Sequence, residues 1–292
     1  MAACTPPPAT VPAPTATPVS TPTPPPTLAP TATPETLTAE RLRQAEYHLL
    51  QSERIVQLAN GQFEAGAGAE YVSVRVLDQL ALGDLNGDGA PDAAVLLAEN
   101  YGGTGTFVAL VAVLDQGGQL VQADAVLIDD RPMVQTLTVD AGRITVAALI
   151  HGLNDPFCCP AWPVRQTYEL RQGRLTLVQL TSQTPDGQTR AIQIDTPTAG
   201  ATAAATVTVQ GRVTVAPFEN NLTYRLLDAQ GGLISQGPVP VQAETLGGPG
   251  SFAAQIDLAA GPANSPVRLE IVDVSAADGS ALALASVDLI VK

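Results

Sequence analysis

The sequence predicts a mainly β protein: an antiparallel β domain with a short N-terminal helix, then a β-sandwich, all preceded by a disordered Pro/Thr-rich stalk. Three observations lead there. Short apolar runs are separated by pairs such as Asn60-Gly61 and Ala141-Gly142, which supply the positive φ that tight hairpin turns need. Beyond Arg190 the runs alternate apolar and polar residues more regularly, as half-buried strands of a sandwich do. Residues 5–35 are nearly all Pro, Thr, Ala, Val and Ser, a composition that cannot bury enough apolar area to offset chain entropy. The divisions expected are 1–36 for the start and stalk, 37–182 for the first β domain, 183–190 for a polar linker and 191–292 for the second.

At the start, Ala2-Ala3-Cys4 resembles the end of the lipobox of bacterial lipoprotein precursors. The resemblance implies lipidation at Cys4, the alternative being an ordinary cysteine near the N-terminus. In the segment that follows, Pro-rich chain favours the extended polyproline form. Some thirty residues of it would reach on the order of 100 Å at about 3.1 Å each. Such a stalk lets a folded part stand clear of a membrane, and the alternative is a linker without an anchor.

Thr38 is placed to cap a short helix running to about residue 50, with Glu40 in its first turn and Leu42, Ala45 and Leu49 on one face. Strands are expected over 55–58, 71–76, 107–114, 120–128, 134–139, 144–150, 166–170 and 175–180. Gln116-Gly117-Gly118 and Gln172-Gly173 add to the hairpin turns already named. In the second domain, strands are expected over 206–215, 222–227, 252–258, 267–272 and 282–291.

Between the strand at 71–76 and an apolar run from Ala93 lies Asp84-Leu85-Asn86-Gly87-Asp88-Gly89-Ala90-Pro91-Asp92. Oxygen side chains recur at alternate positions, and Gly89 stands where a bend needs positive φ. A calcium ion takes six to eight oxygens at about 2.3 to 2.6 Å. Asp84, Asn86, Asp88, the backbone carbonyl of Ala90, and Asp92 would supply five of them. A helical EF-hand would need a glutamate where Val95 stands. The loop closely resembles the D-x-[DN]-x-D-G-x-x-D loops of FG-GAP and VCBS-type propeller blades, which implies calcium as cofactor; a propeller would repeat the motif, and one copy is present. The alternative is an Asp/Asn/Gly-rich turn that meets no metal.

His151-Gly152-Leu153-Asn154-Asp155-Pro156-Phe157-Cys158-Cys159-Pro160-Ala161-Trp162 holds two of the three cysteines and the single tryptophan. With Cys4 lipidated, Cys158 and Cys159 remain as an even pair outside the cytoplasm, where thiols oxidise. A vicinal disulfide is one reading. Two reduced thiols packing as small hydrophobes, an intermolecular bridge and a metal site with His151 are the others.

From residue 191 the chain resembles the immunoglobulin-like domain of bacterial spore-germination and related envelope proteins. The resemblance is carried by Ile194-Asp195-Thr196-Pro197, Val209-Gln210-Gly211, the segment from Ala216 to Leu222, Asp228-Ala229-Gln230-Gly231, Gly250-Ser251-Phe252 and Ala277-Asp278-Gly279. It implies an immunoglobulin-like sandwich acting as a secreted or membrane-tethered accessory module, and no catalytic residue carries over from it. No Cys or Trp lies after Arg190, so its core must stand on packing alone.

A formal charge of −14, with 14 Lys plus Arg against 28 Asp plus Glu, argues against a nucleic-acid partner, whose affinity comes from cationic side chains. No apolar run of about 18 residues is present, so no transmembrane span is expected. His48 and His151 are the only imidazoles. Neither sits in a nucleophile motif, and His48 is given no site. The expected function is a non-catalytic, calcium-stabilised binding or accessory protein of the cell envelope, outside the cytoplasm, lipid-anchored through Cys4, with a cell-wall glycan or an envelope protein as partner. The alternative is an envelope hydrolase acting on wall glycan or peptide.

Overall fold

The computed structural model describes residues 1–3 and 36–292. Cys4 and the stalk expected up to residue 35 lie outside the described residues. Among the described residues the chain is mainly β, with antiparallel sheets and one short α-helix.

Helix α1 is only Ala39–Arg43, its N-terminus capped by Thr38 Oγ1, which accepts the Arg41 N–H at 3.3 Å. The longer helix expected to residue 50 gives way to a hairpin of β1 (Glu46–His48) and β2 (Ile55–Gln57). Tyr47 and Leu49 are buried while Glu46 and His48 are exposed, a period-2 pattern. Tyr47 pairs with Val56, and its hydroxyl donates to the Leu42 carbonyl at 2.9 Å. Burying that ring on a strand outweighs the weak helix propensity of the segment.

Strands β3 (Gln62–Ala65), β4 (Val72–Gly83), β5 (Asp92–Asn100), β6 (Phe107–Gln116) and β7 (Gln119–Asp130) form one antiparallel sheet in that order. A second run, β8 (Met133–Asp140), β9 (Arg143–Ile150), β10 (Trp162–Arg171) and β11 (Arg174–Gln183), pairs consecutively. Residues of both kinds of face on β5 are buried because both faces are covered. Ala93, Val95 and Leu97 pack with Leu42, Tyr47 and Leu58 of the N-terminal segment, and Ala94, Leu96 and Ala98 pack with Ile144, Val146 and Tyr168 of the other sheet. Hence β5 reads as a continuous apolar run rather than an alternating one.

After β11 the chain turns back as β12 (Thr189–Arg190), which pairs with the end of β11. There follow β13 (Ile192–Thr196), β14 (Ala201–Ala203), β15 (Thr206–Val213), β16 (Asn221–Leu227), β17 (Leu233–Ala243), β18 (Gly250–Asp257), β19 (Pro266–Val274) and β20 (Ala281–Val291). One sheet runs β13-β15-β18 and takes the end of β17; the other runs β17-β16-β19-β20, with β14 parallel to β20. Val209, Leu222, Val239, Leu269 and Leu289 fill the space between them without exposure. This is the immunoglobulin-like C-terminal part.

The sheet does not stop at β20. Leu284 and Ala285 pair with Leu180 and Gln179 of β11, so strands of the two parts share one ladder. Val164, Leu180, Val272 and Leu284 close a small apolar core under that junction, and Arg171 of β10 makes an ion pair with Asp288 of β20. Residues 36–292 accordingly belong to one compact unit.

Candidate functional site

The loop between β4 and β5 is built from its own polar side chains. Asp84 accepts the Gly87 N–H at 2.7 Å through Oδ1 and the Gly89 N–H at 2.9 Å through Oδ2. Asn86 Oδ1 accepts the Asp88 N–H and Asp88 Oδ1 accepts the Ala90 N–H, at 2.8 and 2.7 Å. Gly87 and Gly89 take φ of 81° and 84°, which only glycine adopts without strain. Leu85 is buried in the core between the sheets and pins the loop from beneath.

Asp92 differs from its neighbours. It opens β5 fully buried and accepts the Leu85 N–H at 2.9 Å and the Asp115 N–H at 3.0 Å on separate oxygens. Burial pushes its carboxyl up from the usual range, against the pull of those N–H groups. Asp88, out in solvent, is held low by the Ala90 N–H and the Asn86 side chain. The oxygen-only donors of Asp84, Asn86, Asp88, Ala90 and Asp92 have the chemistry a hard cation takes. Among the described residues no group of three or more His, Cys, Asp or Glu side chains gathers as a metal cage. As folded, the carboxylates serve backbone N–H groups, each of which occupies one of the lone pairs available on its oxygen.

The other marked stretch joins β9 to β10. His151 Nδ1 lies 2.8 Å from Asp129 Oδ2 and Nε2 lies 3.2 Å from the Phe157 carbonyl. Both ring nitrogens face acceptors, so only the imidazolium makes both bonds. The Asp129 carboxylate raises the His151 pKa above its ordinary value, with burial opposing. Asp155 Oδ2 accepts the Gly152 and Ala161 N–H groups at 2.8 and 2.9 Å, which closes the loop at its base. At its tip Cys158 and Cys159 are joined as a vicinal disulfide. Both are exposed, as are Leu153 and Phe157, at 62% and 87%.

Beside this loop runs a cleft of about 650 Å³ at the junction of the two β parts. Its lining takes Asn154, Asp155 and Trp162 from the β9–β10 connection and the start of β10, Gln183 from the end of β11, Arg190 from β12, and Asp278 and Ser280 from the C-terminal part. The indole N–H of Trp162 donates to the Gln183 carbonyl at 3.1 Å, which ties the ring to the end of β11. Arg190 lies 3.5 Å from the buried Asp273, whose carboxyl burial raises and Arg190 pulls back. The size is within the range of ligand clefts. Sequence reasoning singled out Trp162 only as a flank of the cysteines and missed the cleft. Its walls come from residues more than a hundred positions apart, and no local pattern joins them.

Residues 191–280 match the family described as the immunoglobulin-like domain of bacterial spore germination. No curated protein matches the chain. The match covers the C-terminal wall of the cleft and leaves the 84–92 loop, the cysteine loop and the Trp162 wall outside it. Among the described residues no helix is long and apolar enough to cross a membrane.

Proposed function

We propose that this chain is a non-catalytic binding or accessory protein of the bacterial cell envelope, held there through a lipid on Cys4, whose ligand sits in the cleft between its two β parts. The observation that carries the reading is the junction itself. A shared ladder at Leu180 and Leu284 and an apolar core beneath it fix the walls of the cleft relative to each other. A ligand therefore meets a preformed surface and does not have to order one, which lowers the cost of binding. The family match at residues 191–280 supports an envelope accessory role. A cell-wall glycan or an envelope protein is the partner class, and calcium is the proposed stabiliser of the 84–92 loop.

The second reading, an envelope hydrolase, draws on the same cleft, because Asp155 and Asp278 both line it and carboxylate pairs cleave glycosides. Against it, the carboxyls of both residues are held below the usual range by hydrogen bonds, Asp155 by Gly152 and Ala161, Asp278 by Ser275 and Ser280. Neither can stay protonated as a general acid at neutral pH. The full chain, secreted in a bacterial host and assayed on wall glycans and peptides, decides between the two. Saturable binding without turnover, with wild type in the membrane fraction and Cys4→Ser in the soluble one, is expected. Turnover would overturn the binding reading, and equal solubility of both proteins would remove the anchor.

A further inference from the structure

The covalent bond at the tip of the β9–β10 connection closes almost no chain. A disulfide stabilises a fold mainly by joining distant segments, and the effect grows with the number of residues enclosed. Cys158 and Cys159 are neighbours, so their bond removes little freedom from the unfolded chain and ties no two elements together. Nor does it cover a core. Pro156, Phe157, Cys158 and Cys159 are all exposed, and Pro160 is the first buried residue after them.

The connection is held from its base by groups other than sulfur. Asp155 Oδ2 accepts the Gly152 and Ala161 N–H groups, and the His151 ring bridges Asp129 and the Phe157 carbonyl. The Trp162 indole is tied to Gln183, and the Cys159 N–H closes a turn on the Pro156 carbonyl at 2.9 Å. None of these bonds runs through the sulfurs. The fold therefore supports the tip whether the two cysteines are joined or not.

Access is equally open. Neither cysteine belongs to the lining of the cleft, and Phe157 beside them is 87% exposed. Disulfides that hold a fold together resist reduction, whereas exposed ones are the labile and redox-active class.

We infer that Cys158–Cys159 is a redox site, not a structural staple, and that its substrate is a dithiol. One substrate thiolate attacks a cysteine sulfur; a mixed disulfide forms, and the other cysteine leaves as a thiolate and takes a proton. The second substrate thiolate then attacks the substrate sulfur of the mixed disulfide. That step closes the substrate's own disulfide and expels the remaining cysteine, which is protonated in turn. Two electrons and two protons pass to the protein, and the dithiol leaves oxidised. Because the product thiols are adjacent, exchange with a disulfide oxidant re-forms the bond.

The full chain carrying Cys4→Ser, which leaves this pair as its only cysteines, is made in an oxidising compartment. It is treated with dithiothreitol, folded and in denaturant, and separately with reduced thioredoxin while folded. Alkylation followed by intact mass counts the thiols. The folded protein should gain two alkyl groups at a rate within about tenfold of the denatured one, since exposure leaves both sulfurs open to attack. Oxidised glutathione should remove both thiols again. The melting temperature of the reduced protein should lie within about 4 °C of the oxidised one, because the bond encloses no loop. Reduction by dithiothreitol alone assigns a small dithiol, and faster reduction by thioredoxin at equal concentration assigns a protein one. A larger slowing on folding, or a larger fall in melting temperature, would make the bond a staple and overturn the inference. Two alkylatable thiols before any reductant would overturn it as well.

Discussion

At His151 one side chain ties three pieces of chain together: β7 through Asp129, its own strand end, and the cysteine loop through the Phe157 carbonyl. Asp130 and Asp155 also face it with negative charge. A histidine whose folded pKa stands above its unfolded value, about 6.5, contributes stability that is fully present below that value and lost as pH rises through the folded one. The His151 ring should therefore titrate above pH 6.5 in an NMR titration, and Asp129→Asn should bring it back toward that value. A wild-type midpoint at or below 6.5 would show that Asp129 does not hold the imidazolium. The cysteines were legible as a pair because they are adjacent. The clasp was not, since Asp129 lies in another strand and nothing near it in sequence marks it.

Among the elements, hairpins were the most legible, because their turn chemistry is local. Asn60-Gly61, Gly117-Gly118, Ala141-Gly142 and Gln172-Gly173 all take positive φ in the structure, at the reversals the sequence marks. β17 was missed because it carries Pro238 and Pro240, which demote a strand on sequence grounds. It is tolerated because those residues pair with β16 on one side, while β18 joins only from Val241 to Ala243. The helix was overextended for a related reason: Leu42, Ala45 and Leu49 fit a helical period, yet burial of Tyr47 selects the alternating one. The 84–92 loop was legible as a β4–β5 connection and as an oxygen-rich turn. Calcium is the part that needs measurement. If it binds the folded loop, excess ion stabilises by mass action, about 2.7 kcal/mol at a hundredfold over Kd. That is a rise of about 2 to 4 °C per kcal/mol for a unit this large. Chelation should reverse the rise and Asp88→Ala should abolish the response. A wild-type melting temperature indifferent to millimolar Ca²⁺ would leave the loop a turn held by its own Asx bonds.

For the whole molecule, the sequence suggested two β units and a polar linker, and the linker turned out to be structured. Gln183 and Ser182 pair with Thr189 and Arg190, so the connecting segment folds back onto β11 and lines the cleft. The continuation of β20 onto β11 could not be read from either strand. An edge-to-edge match requires only unpaired backbone groups, which any edge strand offers whatever its sequence. Its consequence is mechanical: Arg171 reaches Asp288, Val272 packs on Leu180, and the cleft walls have a fixed spacing. The binding proposed for the cleft depends on that fixity.

Differential scanning calorimetry of the full chain, wild type and Val272→Ala, tests it most directly. Val272 is fully buried in the junction core, and its truncation should cost about 2 kcal/mol. One cooperative endotherm, moved down as a whole by the substitution, is the result predicted. Two separate transitions, of which only one moves, would mean that the parts fold independently and that the cleft has no fixed walls.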